Sequence, residues 1–267
     1  MNRDTPQWVV PVVLAIAVAA ALWFYWQQLP GPEPVPVEAT PVESDEPEVE
    51  LQAGPRYPVP EMNEPDSRQN LQPLPPLDDS DEYFRLELRG LYGDMLVNLL
   101  VSNNLIERIV ATVDNLPRAH VSEKIRPAGK LDGAFLVDGQ DGSGEFTLSQ
   151  DNYARYDRIV DLVTSADVNS VADTYRRYYP LFQKAYVNLG YPDAYFNDRL
   201  IEVIDHLLDT PVVEPPIVLV RPNVLYRFAD PELEALSSGR KLLIRMGSEH
   251  AARVKNTLRE FRAAIVE

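Results

Sequence analysis

The sequence contains no cysteine, and the common signatures of catalysis are missing as well. Without cysteine the chain can form no disulfide and offers no thiolate nucleophile. It has no HExxH, no GxSxG and no glycine-rich phosphate loop, which are the motifs of zinc proteases, serine hydrolases and P-loop nucleotide-binding proteins. The three histidines lie far apart along the chain, at His120, His206 and His250. The sequence therefore predicts no cofactor, no metal site and no catalytic residue of these kinds.

Charge is absent from the run Trp8–Trp26, which has 19 residues. About 20 apolar residues are enough to cross the hydrocarbon core of a bilayer. Aromatic rings stand at both ends of the run, where amphipathic rings meet the lipid headgroups. A cleaved signal peptide has a shorter apolar core, of roughly 7–15 residues, and ends at small residues. Because bulky residues follow Ala19–Ala21 here, the sequence predicts an uncleaved transmembrane anchor over residues 8–26.

Positive charge is also scarce on both sides of this run. Arg3 precedes it, and the first basic residue that follows is Arg56. By the positive-inside rule, residues 1–7 are expected in the cytoplasm and the C-terminal part beyond the membrane. In a bacterium with two membranes, the predicted location is then the inner membrane, crossed once, with the C-terminal domain in the periplasm.

Residues 27–80 have the composition of a disordered linker. They hold 13 of the 24 prolines of the chain, and residues 29–82 have 14 acidic side chains against two basic ones. Few apolar residues and much charge of one sign leave too little burial to offset the entropy of an ordered chain. Proline favours an extended path, so this tether could reach roughly 170 Å when straight. Its acidity argues against nucleic acid as a partner.

The remaining residues, 81–267, are enough for one folded domain. Apolar residues recur at helical spacing in most of it, and Asp81 is a plausible N-cap for the first helix. One long stripe runs from Val168 to Leu189, in which Pro180 is expected to kink or interrupt the helix. Residues 134–137 and 145–148 flank the turn sequence DGQDGSG and predict a β-hairpin. The short β-type runs 217–220 and 224–228 either form a small sheet with this hairpin or lie as extended segments over the helices. The predicted fold is a single, mainly α domain with a minor β element.

Four acidic residues share one face of the helix predicted over residues 197–209. At 100° per residue, and with Asp198 as the origin, Glu202 lies at about 40°, Asp205 at about 340° and Asp209 at about 20°. Arg199 and His206 flank this row. Three interpretations stay open: a solvated outer face, a docking face for basic groups of this chain or of a partner, and a divalent-ion or acid–base site.

The last predicted helix, which Ser248 is expected to cap, offers a possible counterpart to this acidic face. Its basic side chains Lys255, Arg259 and Arg262 occupy one stripe, which is either plain solvent charge or a contact for an acidic partner or the acidic tether. Tyrosines and arginines also alternate in NYARYD, YRRYYP and YPDAYFNDR. Such residues are either core tyrosines whose hydroxyls form hydrogen bonds at the edge of the core, or a surface for binding a peptide or a sugar.

Several segments of the domain resemble a bacterial family known only as domain of unknown function 3014. The similar segments cover nearly all of residues 81–267 and are TVDNLPR, NYARYD, YRRYYPLFQKAY, LGYPDAYFNDRLIEVIDHLLDTP and VLYRFADPELEALSSGRKLLIRMG. The layout of an N-terminal membrane helix, a proline-rich stretch and this domain is also similar. Since no activity is assigned to that family, the resemblance implies no catalytic residues.

The sequence thus favours a non-catalytic, membrane-anchored binding or scaffold protein of the bacterial envelope, whose partner is an envelope protein or a glycan. The predicted binding residues are Tyr191, Tyr195, Asn197, Asp198, Arg199, Glu202, Asp205 and His206. Two alternatives stay open. One is a cell-wall-directed hydrolase in which Asp198, Glu202 or Asp205 acts as acid or base with help from His206. The other is an accessory subunit whose anchor packs within a larger inner-membrane complex.

Overall fold

The structure is a computed structural model that describes residues 54–60, 73–129, 133–139 and 145–266. The predicted cytoplasmic N-terminus (1–7), the predicted anchor (8–26) and most of the predicted linker lie outside these residues. Among the described helices, none combines the length and the apolar composition that a membrane crossing requires. The described residues form a mainly helical body with a small antiparallel sheet, which confirms the predicted fold class for this part of the chain.

Eight α-helices account for most of the described residues. They are α1 (Asp81–Leu99), α2 (Leu105–Asn115), α3 (Ala154–Ser165), α4 (Val168–Asn188), α5 (Phe196–Leu208), α6 (Pro231–Ala235), α7 (Ser238–Arg245) and α8 (Ser248–Val266). Short 3-10 turns lie at Leu77–Asp79, Glu123–Ile125 and Gln150–Asn152. Gly93, at φ 72°, has a non-helical backbone and divides α1 into two helical parts.

The sheet has four short antiparallel strands in the order of the chain. They are β1 (Val137–Asp138), β2 (Glu145–Leu148), β3 (Val218–Val220) and β4 (Arg227–Phe228). Phe146 of β2 pairs with Leu219 of β3, which in turn pairs with Phe228 of β4. The predicted hairpin is therefore present, and both later β-type runs contribute a strand beside it. The buried side chains of the sheet pack against Ile244 of α7.

The main core lies around α4, which packs against α2, α5, α8 and part of α1. The predicted stripe supplies much of it: Tyr175, Tyr178, Phe182 and Ala185 are at most 6% exposed. At its C-terminal end, however, Leu189 is 42% exposed, because the helix has ended one residue earlier. A second core cluster joins α3, α5, α7 and α8.

Pro180 does not interrupt α4, which continues through it from Val168 to Asn188. Proline removes one backbone hydrogen bond and crowds the preceding turn. The residues on either side, Tyr178, Leu181 and Phe182, are buried in the main core. Their packing holds the helix together across the proline, so the predicted break is absent.

Asp81 has a different role from the predicted one. It lies inside the first turn of α1, where Ser80 occupies the N-cap position. Its carboxylate accepts hydrogen bonds from the backbone N–H groups of Asn104 and Leu105, both at 2.7 Å. Asp81 therefore satisfies the free N–H groups at the start of α2, the next helix, rather than those of its own.

The packed part of the chain begins before residue 81. Leu77 is 2% exposed and Ser80 is fully buried, and Leu74 packs against the main core. Farther upstream, Tyr57 and Val59 pack against the same core. Two pieces that the sequence assigned to the linker, residues 54–60 and 73–80, are thus parts of the folded body, since each brings apolar side chains to it.

Candidate functional site

Helix α5 has one apolar side and one polar side, and contacts at its start fix its position. Its buried residues are Phe196, Asn197, Ile201, Val203, Ile204 and Leu207. The amide side chain of Gln183 on α4 accepts a hydrogen bond from the N–H of Phe196 and donates one to the carbonyl of Ala194, each at 2.8 Å. This clamp sets where the first turn begins, and the first turn carries Asn197 and Asp198.

Asn197 is the buried polar residue of this turn. Its Oδ1 accepts a hydrogen bond from the hydroxyl of Tyr175 at 2.9 Å, and its Nδ2 donates to the carbonyl oxygen of Tyr57 at 2.8 Å. Burial of the Tyr175 hydroxyl raises its pKa well above the ordinary value, so it stays a donor. The amide group of Asn197 therefore links the core to a peptide group of residues 54–60.

Asp198 binds the same short stretch of backbone. Its two carboxylate oxygens accept hydrogen bonds from the N–H groups of Arg56 and Tyr57, at 3.0 and 2.8 Å. A carboxylate that accepts two N–H groups forms charge-assisted bonds, which are shorter and stronger than neutral ones. Asn197 and Asp198 together bind three main-chain groups of the dipeptide Arg56–Tyr57. We call residues 54–60 (GPRYPVP) the resident segment.

The side chains of the resident segment make further contacts. The guanidinium of Arg56 forms an ion pair with the carboxylate of Glu202, and these side chains are 52% and 44% exposed. The ring of Tyr57 packs against the main core, with the guanidinium carbon of Arg262 at 5.9 Å from its centroid. Arg262 in turn donates two hydrogen bonds to the carboxylate of Asp205, at 2.7 and 3.0 Å, and this carboxylate raises the pKa of Arg262.

These contacts define a docking face, formed by Asn197, Asp198, Glu202 and Asp205 of α5 with Arg262 of α8. Of the three interpretations of the acidic row, the contacts agree with a docking face for groups of this chain. Asp209, the fourth acid of the row, is not part of it: its side chain is 78% exposed and lies 3.8 Å from Arg240.

A second polar cluster joins α5 to α2 around Asp114, whose side chain is only 3% exposed. Arg199 donates from Nε to the carboxylate of Asp114 and from Nη2 to its backbone carbonyl, both at 2.9 Å. Arg118 donates to the same carboxylate at 2.8 Å, and the hydroxyl of Tyr191 donates to it at 3.3 Å. Burial, with a smaller contribution from the charge of Asp114, raises the pKa of Tyr186 to about 12. We call Asp114, Arg118, Tyr191 and Arg199 the Asp114 cluster.

The predicted binding residues therefore divide into separate groups. Asn197, Asp198, Glu202 and Asp205 belong to the docking face, whereas Arg199 and Tyr191 belong to the Asp114 cluster, with Arg199 also 3.4 Å from Glu202. Tyr195 is 37% exposed and precedes α5, where its carbonyl accepts a bond from the N–H of Arg199.

His206 lies apart from both groups. Its Nε2 is 2.8 Å from the hydroxyl of Ser237, and its carbonyl accepts a bond from Arg240 Nε at 2.9 Å. Burial, together with the positive charge of Arg240, lowers the pKa of His206 below 6.5. The residue thus connects α5 to the start of α7.

The basic stripe of α8 is also divided. Lys255 donates to the carbonyl of Thr210, Arg259 donates to Asn256 on its own helix at 2.7 Å, and Arg262 binds Asp205 as described. Lys255 and Arg259 line a cavity of about 300 Å³ beside the segment 210–213 and the end of α7. None of the predicted binding residues lines this cavity.

Several residues of these sites were not predicted. Asp114 had a signal in the sequence, because it follows Ile106 and Val110 at four-residue steps and so stands in the buried stripe of α2. Tyr175 was recognised only as a core residue. Arg56 and Tyr57 lie in a proline-rich stretch without periodicity. The side chains of Tyr57 and Val59, which pack against the main core, were the available sign that this stretch contacts the folded body.

Comparison with known proteins gives one match. The chain matches the model of a family described as "Protein of unknown function (DUF3014)" over residues 105–262, which is more than half of its length. This range includes α2, α4, α5 and most of α8, and with them the docking face and the Asp114 cluster. No curated protein and no solved structure matches the chain.

Proposed function

This chain belongs to the DUF3014 family, and we propose that it is a non-catalytic, membrane-anchored binding and scaffold protein of the bacterial envelope. The anchor over residues 8–26 holds it in the inner membrane, and the helical body lies in the periplasm. The docking face of α5 holds the chain's own tether, and so limits how far the body can stand from the membrane.

One observation carries this proposal: the resident segment is bound by Asn197, Asp198 and Glu202 at its main chain and at its arginine. Because the segment is held at its main chain and at its arginine side chain, it has a defined position on the helix. An acidic face that only contacts solvent would hold no segment in place. Each acid of the docking face has a basic side chain or backbone N–H groups of this chain as its partner.

The same contacts argue against the hydrolase alternative. A hydrolytic pair needs two carboxyl groups that approach a substrate from two sides. Here Asp198 binds backbone N–H groups, Glu202 binds Arg56, and Asp205 binds Arg262. These carboxylates therefore serve as acceptors within the fold, and His206 faces Ser237 rather than any of them.

Docking changes the reach of the body from the membrane. Since residues 73–80 pack on the body, the undocked tether comprises residues 27–72 and spans roughly 140 Å when fully extended, at about 3.1 Å per residue. With residues 54–60 held on α5, only residues 27–53 separate the anchor from the body, and their greatest span is roughly 80 Å. The docking face thus shortens the greatest distance between the anchor and the body by roughly 40%.

Limited trypsin digestion of the full chain in detergent micelles tests the docking. Trypsin cleaves after arginine, and Arg56 is followed by Tyr57 rather than by proline. In the wild type this bond is expected to be protected, because both of its residues are held on α5. Losing hydrogen bonds to a charged acceptor costs about 1.5–3 kcal/mol, so Asp198→Asn should speed cleavage there about 10-fold or more.

The matched control is Asp209→Asn, which makes the same charge change on the same predicted row but outside the docking face. Its cleavage rate should equal that of the wild type. Cleavage of the wild type as fast as a free peptide of residues 53–61 would contradict the docking.

The location is tested separately. Fractionation should recover the full chain with inner membranes, and a protease confined to the periplasm should cut within residues 27–53. Recovery of the chain as a freely soluble protein would overturn the anchored arrangement.

A further inference from the structure

We infer that the docking face is a peptide-recognition site, which also accepts a Pro-Arg-Tyr-Pro segment, bent at its arginine and tyrosine, supplied by another protein. The resident segment is then its internal competitor and keeps the site closed until a partner displaces it. This inference rests on the proposed function, since it gives the envelope-binding role a partner chemistry.

The site recognises backbone groups in the way peptide-binding sites do. Asn197 and Asp198 bind one carbonyl and two successive N–H groups of a single dipeptide. Asn197 is fully buried, and Tyr175 behind it fixes the orientation of its amide group. Such groups bind any peptide of the right conformation, and they supply affinity rather than sequence specificity.

Sequence specificity comes from the side chains on either side. Glu202 pairs with the arginine, and the tyrosine ring packs between the core and Arg262. Proline before the arginine and after the tyrosine, Pro55 and Pro58, restricts the backbone on both sides of the dipeptide, which is bent and presents both of its N–H groups to one carboxylate. The site therefore fits arginine followed by tyrosine between two prolines.

The contact is shallow enough to be reversible. Arg56 and Pro58 are exposed, and every other residue of the resident segment is partly exposed. The ion pair of Arg56 with Glu202 lies at the surface, where solvent and salt screen such pairs and leave them weak. A segment bound in this way dissociates readily, and its occupancy depends on its local concentration.

The chain itself makes that local concentration high. Twelve residues, 61–72, lie between the resident segment and the next described residue. A short connection of this kind gives an effective concentration on the order of 1 mM. If the resident segment occupies the site at least about nine-tenths of the time at 1 mM, its intrinsic Kd is about 0.1 mM or less. A free peptide that competes with it then binds about 10-fold more weakly than it binds a site without the resident segment.

The test uses the full chain in detergent micelles and a fluorescent synthetic peptide of residues 53–61, AGPRYPVPE. The site is opened by the double substitution Arg56→Pro and Tyr57→Pro, which removes both side chains and both N–H groups that Asp198 binds, and changes no residue of the helices. Fluorescence anisotropy should show the peptide binding to the opened variant at least about 10-fold more tightly than to the wild type.

Four comparisons follow from the contacts. Adding Asp198→Asn to the opened variant should weaken binding about 10-fold, whereas adding Asp209→Asn should leave it unchanged. A peptide with alanine in place of its arginine should bind more weakly to the opened variant. Adding Glu202→Gln to that variant should abolish this difference between the two peptides.

The inference is overturned if the peptide does not bind the opened variant, if Asp198→Asn leaves binding unchanged, or if wild type and opened variant bind equally. These results are distinct from a failure of the proposed function. Protection of Arg56 in the wild type, combined with no peptide binding to the opened variant, would leave the docked tether in place and remove only recognition of a second protein.

Discussion

Two aspartates near α5 show how one kind of side chain serves two purposes. Asp114 is 3% exposed and has two arginines, Arg199 and Arg118, and a tyrosine around its carboxylate, all within the helical body. Asp198 is partly exposed and binds two backbone N–H groups of the tether. Burial and the nature of the partners set them apart: removing Asp114 leaves the partly buried Arg199 without its acceptor inside the helical body, whereas removing Asp198 frees a segment that can enter water.

The largest expected effect belongs to Asp114→Ala. It leaves Arg199, whose side chain is 25% exposed, without the carboxylate that it binds, and losing such bonds between charged groups costs about 3 kcal/mol or more. Urea unfolding of the full chain, followed by circular dichroism, should show a loss of this size, whereas Asp198→Ala should lose no more than about 1–3 kcal/mol. Equal losses in the two variants would break the distinction between the two acids.

Asn197→Ala should have an intermediate effect on stability and a strong one on docking. It leaves the buried hydroxyl of Tyr175 without its acceptor, at a cost of about 1–3 kcal/mol. It also removes the bond to the carbonyl of Tyr57, so trypsin should cut after Arg56 faster. Substitution of the exposed Asn256 by alanine is the control for both measurements. If Asn197→Ala leaves stability unchanged but exposes Arg56 to trypsin, Asn197 acts only in docking, as Asp198 does.

A smaller effect is expected for Asp205→Asn. The Asp205–Arg262 pair is partly exposed, with side chains 47% and 31% exposed, so its loss should lower stability by about 1 kcal/mol or less. Arg262 would no longer be held beside the ring of Tyr57, and peptide binding to the opened variant should weaken slightly. No change in either measurement would remove Asp205 from the docking face.

The smallest effect is the pH dependence that His206 contributes. Burial and Arg240 lower its pKa in the folded state below the ordinary 6.5, so below that pH the unfolded chain binds more protons than the folded one. The stability associated with neutral His206 is present above pH 6.5 and is lost as the pH falls from there. His206→Gln should flatten this part of the curve of unfolding free energy against pH; an unchanged slope would show that His206 does not cause it.

The helices and the sheet were largely predictable because they follow local patterns. Apolar spacing in α4, the turn sequence between β1 and β2, and Asp230 before Pro231 at the start of α6 all act over a few residues. Helix α7 was missed, since its sequence SGRKLLIR is short and contains a glycine and three charges. Its cap, the Ser237 hydroxyl that accepts from the N–H of Arg240, was the signal that could have indicated it.

The site was half predictable for a related reason. The acidic row of α5 is visible in helical spacing, but its partners are not: Asp198 binds residues 141 and 142 positions earlier in the chain. Composition marks residues 27–80 as a linker, and it averages over the few apolar side chains that attach part of it to the body. Long-range pairing of this kind has no periodicity in the sequence.

The central claim, that residues 54–60 are docked on α5, is tested most directly by a distance between two spin labels. The chain has no cysteine, so Gly54→Cys and Asp193→Cys introduce single labelling sites; an added Cβ at Gly54 meets no atom within 4 Å, and Asp193 is exposed. Pulsed electron paramagnetic resonance on the full chain should give one narrow distance distribution, which Asp198→Asn broadens and Asp209→Asn leaves unchanged. A broad distribution with wild-type residues at 198 and 209 would contradict the account.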